Sequence, residues 1–122
     1  MSTLNVSNIT DGTTTLATSY VVNGSAKAWV SWNFASVDDS HNISSVSDDG
    51  TGLFTTSFTS NMSNALYAES GIVRNYHVNS SSNDVKASSG DQHQSFYVSN
   101  TSGARTAIDN GRVHIVYHGD LA

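Results

Sequence analysis

Apolar residues recur at every second position in several short runs of this chain, and clusters of Gly, Asn, Asp and Ser separate the runs. A period of two predicts strands with one buried face, and no long segment carries the period and caps of an amphipathic helix. Residues 26–34 place Ala26, Ala28, Val30, Trp32 and Phe34 on one face, and Lys27, Trp29 and Ser31 on the other. The first is the core face. Trp29 is therefore expected to be an anchor buried at a sheet–sheet or subunit contact, and not a sugar platform.

The same reading extends along the chain. HNISSVS and LFTTSFT predict a hairpin around Asp49-Gly50-Thr51-Gly52, with Phe54, Thr56 and Phe58 on one face. ALYAESGIVRNYHV reads as the longest apolar strand, with Gly71 marking a bulge or bend. SSSNDVKASSGDQ is a polar excursion, HQSFYVSN a strand, and TSGARTAIDNG a long loop. The last run, RVHIVYHGD, puts Val113, Ile115 and Tyr117 on one face. Residues 1–22 are too polar for a core of their own and read as an extended N-terminal arm for attachment or inter-chain pairing. Residues 23–122 form the domain. The expected fold is all-β: a small antiparallel β-sandwich, jelly-roll-like or meander, built of about seven or eight short strands.

Composition narrows the function. The chain has 122 residues, which fits one domain, and only 12% are charged, against about 25% in an average domain. Net charge is −5 and the five cations are scattered, so no nucleic-acid partner is expected. There is no cysteine and no run approaching a membrane span. The start has no signal-peptide pattern, and the expectation is synthesis in a cytoplasm without membrane insertion. Seven Asn-x-Ser/Thr triplets occur, an outcome of a composition more than one third Ser, Thr and Asn.

Candidate chemistry is sparse. His114 and His118 stand four apart, but on a strand that spacing is roughly 13 Å, too far for one metal ion. His41, His77, His93, His114 and His118 read as polar, partly exposed residues, unless copies of one meet around a three-fold axis. Asp48-Asp49-Gly50 reads as a turn in preference to a calcium loop. Glu69 is the sole glutamate and no Gly-x-Ser-x-Gly elbow exists, so neither a Glu–Glu pair nor a hydrolase nucleophile is expected. The expectation is a non-enzyme without cofactor or metal. The aromatic residues Trp29, Tyr67, Tyr76, Tyr97 and Tyr117 are the candidate interface or ligand contacts, suited to subunit burial first and to stacking on a sugar second.

Two stretches carry a resemblance: NGSAKAWVSWNF and NISSVSDDGTGLFTTSFTSNMSNALYA. They are similar to a module of phage tail-fibre and other virion-appendage proteins, common in marine phages including those of cyanobacteria. Gly24, Ala26, Lys27, Ala28, Trp29 and Val30 match its first motif. Asn42, Ser44, Ser45, Val46, Gly50, Thr51, Gly52, Phe58 and Thr59 match its second. The likeness is strongest over residues 23–68. Ser31-Trp32-Asn33-Phe34, Ser63-Asn64 and Leu66 depart from the pattern. The resemblance implies a virion location, a structural role as a tail-fibre or appendage tip or adaptor, and a homotrimer among other virion proteins, with host-surface glycans as a further contact. A capsid decoration protein and a free carbohydrate-binding module are the alternatives. The resemblance supplies no catalytic residue.

Overall fold

The computed structural model describes residues 3–74, 76–80, 86–109 and 111–122. Two antiparallel sheets make the domain. One joins β3 (Ala28–Trp32), β4 (Val37–His41), β7 (Ala68–Val73) and β11 (Val113–His118) in the order β4-β3-β11-β7. The other contains β5 (Ile43–Gly50), β6 (Leu53–Phe58), β8 (His77–Ser80), β9 (Gly90–Val98) and β10 (Arg105–Ala107). There β5 pairs β6, β6 pairs β9, and β9 pairs both β8 and β10. Hairpins stay within a sheet, whereas the β4–β5, β6–β7, β7–β8 and β10–β11 connections pass between sheets. The result is the expected small antiparallel β-sandwich.

Alternation explains the core. Ala28, Val30 and Trp32 on β3, Phe54, Thr56 and Phe58 on β6, and Val113, Ile115 and Tyr117 on β11 are all buried. Trp32 and Phe54 meet with ring centroids 4.8 Å apart, and Phe34 packs 4.4 Å from Trp32. Phe58, Tyr67 and Tyr117 form a second aromatic group with edge-to-face contacts at 5.0–5.8 Å. Each such ring contributes about 1.5–3 kcal/mol by leaving water. Phe34 sits at φ 66, a region disfavoured for bulky side chains. Its contacts with Trp32 and Phe54 help hold it there, as does the Asn33 carboxamide, which accepts from the Ala35 and Ser36 amides at 3.0 and 2.9 Å.

Three local expectations give way. Gly71 makes no bulge: it pairs in register with Ile115. The long apolar run breaks further on, where the Tyr76 amide donates to the Val73 carbonyl, so β7 and β8 enter different sheets. The expected loop after residue 100 contains β10, whose backbone pairs with Phe96, Tyr97 and Val98. Part of the polar excursion, 81–85, lies outside the described residues.

The arm folds locally instead of staying extended throughout. β1 (Asn8–Thr10) pairs with β2 (Thr15–Ala17), and α1 (Thr18–Gly24) follows directly. Asp11 builds the turn by accepting from the Thr13 and Thr14 amides at 3.0 and 2.8 Å. Helix α1 has no side-chain N-cap and no buried residue. The Lys27 ammonium holds its end, donating to the Val22 carbonyl and, at 2.8 Å, to Ser25 Oγ.

Candidate functional site

The sheet β4-β3-β11-β7 turns its second face outward. Pairing sets Trp29 beside Val116 and Val116 beside Ser70. The next outward row runs Ser31, His114, Ile72. Together these six side chains line a groove of about 490 Å³. Trp29 is 36% exposed and Ile72 69%. Trp29 thus points away from the second sheet of its own domain, which removes the sheet–sheet half of the expectation for it.

The arm adds more exposed apolar surface. Leu4, Val6, Ile9, Leu16, Tyr20, Val21 and Val22 are all substantially exposed. A helix of seven residues is far below the length that is stable alone in water, and no residue of α1 is fully buried.

The five aromatic candidates divide. Tyr67 and Tyr117 are 4% and 0% exposed and belong to the core, so neither is a surface contact of this chain. Their rings fill the space between the sheets, which alternation on β11 dictates for Tyr117. Tyr76 is half-buried against the same core. Trp29 and Tyr97 are the two that reach solvent.

A different cluster lies inside. The core-facing row of β9 is Asp91, His93 and Ser95, all buried and all polar. Pairing places Asp91 beside Thr56 and His93 beside Phe54 on β6. Facing them from the other sheet is Tyr117, whose neighbour on β7 is Glu69. The Tyr117 hydroxyl stands 2.7 Å from His93 Nε2 and 2.6 Å from Thr56 Oγ1. Thr56 in turn donates to the Asp91 carbonyl at 3.2 Å. One direction of donation satisfies this chain: His93 N–H to Tyr117, Tyr117 O–H to Thr56, Thr56 O–H to Asp91.

The acids sit at the end of that chain. Ligand atoms of Glu69, Asp91 and His93 all lie within 4.8 Å of one another. Lys86 closes the rim, 3.4 Å from Glu69 Oε2 and 4.3 Å above the Tyr67 ring. The Tyr67 hydroxyl donates to the Ala87 and Gly90 carbonyls at 3.1 and 3.0 Å, tying down the segment that carries Lys86.

Burial, reinforced by the adjoining Glu69 carboxyl, pushes Asp91 well above the carboxylate range, with Lys86 and the Gln92 amide pulling the other way. Burial also pulls His93 well below its ordinary value, against the Glu69 charge. The Tyr67 and Tyr117 phenols are raised by burial and by the nearby acids. His93 is therefore a neutral core residue, not the partly exposed one its polarity suggested. The signal for this cluster was the polar alternation Asp91, His93, Ser95, whose last two members lie in the expected strand HQSFYVSN while Asp91 falls in the polar excursion before it.

Comparison with protein-family models, curated proteins and solved structures finds no match for this chain. Among the described residues, no helix is long and apolar enough to cross a membrane.

Proposed function

We propose that this chain is a non-catalytic structural protein of a phage virion, a tail-fibre or appendage tip or adaptor that assembles as a homotrimer. One observation carries the reading: among the described residues, the arm and the Trp29 face both leave apolar side chains substantially exposed. Apolar side chains gathered on one outward face, as Trp29, Val116 and Ile72 are, mark interaction sites. Burying them against copies of the same chain removes an aggregation liability and gives α1 the packing it lacks. The resemblance over residues 23–68 supplies the virion setting, and its first motif contains both Trp29 and Lys27, the residue that holds the end of α1. A capsid decoration protein would use the same surfaces in the same way.

The test is substitution at the two exposed regions. Trp29→Ala combined with Val22→Ser is expected to yield monomer while the far-ultraviolet circular dichroism of the sandwich stays unchanged. An undiminished oligomer in that variant would overturn the assignment of these surfaces.

Ser31, Ser70 and His114 beside the Trp29 ring favour a second reading, a free carbohydrate-binding module. Glycan binding that Trp29→Ala abolishes, in a protein that stays monomeric, would support it over the first.

A further inference from the structure

We propose that Glu69, Asp91 and His93 bind a divalent transition-metal ion of the zinc class, with Lys86 as the displaceable cation that covers the site. Two independent observations meet here. The three side chains converge from β7 and β9, on opposite sheets, with one ligand atom each inside a 4.8 Å span. Separately, the Asp91 side chain is 1% exposed, its Oδ2 is 3.9 Å from His93 Nε2, and its carboxyl abuts that of Glu69. Two buried acids placed side by side cannot both ionise without cost, and must share either a proton or a cation. A cation between the two acids removes the cost and uses both.

The donor set selects the ion. Two carboxylate oxygens and one imidazole nitrogen suit first-row divalent ions. Calcium wants six to eight oxygens, and this cluster offers a nitrogen and too few oxygens. The His93 ring is held in place: the Tyr117 hydroxyl stands 2.7 Å from His93 Nε2 and 2.6 Å from Thr56 Oγ1. A route in also exists. The Glu69 and Lys86 side chains are 17% and 20% exposed, so Lys86 can swing into water and release Glu69 to the ion. The polar row on β9 then has a reason: a core position given to Asp91, His93 and Ser95 in place of apolar residues marks a place where local packing rules yield to another demand.

The experiment uses the full chain, freed of metal with a chelator and titrated with zinc chloride in a calorimeter, with thermal unfolding as a second readout. One zinc ion per chain and a raised unfolding temperature are expected. Asp91→Asn, close to isosteric, should weaken binding by more than the ~10–100-fold typical of an outer-shell change. Lys86→Ala, at the rim, should tighten it roughly tenfold by removing a competing charge. Absence of saturable one-to-one binding in the wild type would overturn the proposal. So would binding that Asp91→Asn leaves untouched, which would belong to the surface histidines. Should Asp91→Asn fail to fold, Lys86→Ala decides: unchanged or weaker zinc binding there counts against the site.

Discussion

The Tyr117 hydroxyl and His93 Nε2 stand 2.7 Å apart, one carried by each sheet of the sandwich. This bond crosses the core and links the aromatic group around Phe58 to the acidic pair at the edge. Replacing Tyr117 by Phe keeps the ring contacts at 5.0 and 5.8 Å with Phe58 and Tyr67. It leaves the His93 N–H unpartnered in the interior. The expected loss is about 1–3 kcal/mol, read as a lower midpoint in urea with an unchanged slope.

Phe54 is fully buried, and its ring meets Trp32, Phe34 and His93. Phe54→Ala should cost about 3–5 kcal/mol, the transfer of the ring plus the cavity it leaves. Phe54→Leu should cost clearly less. Equilibrium denaturation of the two variants measures the difference.

Two glycines should respond with opposite signs. Gly52 sits at φ 69, and a Cβ there would strike the Ser95 carbonyl and, at 2.7 Å, the Ile108 amide. Those same backbone groups already bond across this point, Ser95 N–H to Gly52 and Ile108 N–H to Ser95. Gly52→Ala should destabilise by more than about 1 kcal/mol. Gly24 ends α1 with nothing within 4 Å of the added carbon. Gly24→Ala should be neutral or stabilise by up to about 1 kcal/mol. Thermal midpoints of the pair test both.

The β1–β2 turn should open in acid. Three hydrogen bonds, the backbone amides of Thr14 and Thr13 first and the Thr13 hydroxyl after them, lower Asp11 from 3.8 to about 2. The folded value is depressed, so the contribution is present above the unfolded value and is lost as pH falls from about 4 to about 2. Amide resonances of Thr13 and Thr14 should move together over that range, and Asp11→Asn should remove the transition.

Much of the sandwich was legible because apolar side chains declare their face. Phe54, Thr56 and Phe58 alternate as written, and the hairpin joining β5 to β6 keeps the expected residues near its loop. Trp32 went inside and Trp29 outside for the same reason. The polar row Asp91, His93, Ser95 was not legible, because its inward face is fixed by pairing with β6 and not by its own hydropathy. Gly71 misled for a related reason: a glycine in a strand suggests a bulge, yet β11 holds it in regular register. Helix α1 was hidden by Thr18, Ser19, Tyr20, Val21 and Val22, residues of modest helix propensity without a cap. Glu69 was seen as a lone acid, since only the fold brings β7 against β9.

On the proposed assembly, the exposed arm and the Trp29 face are buried between copies of this chain. Sedimentation equilibrium of the 122-residue chain at micromolar concentration measures this. A species of three times the 12.9 kDa chain mass is expected. A single species at the chain mass, unchanged as concentration rises, would contradict it.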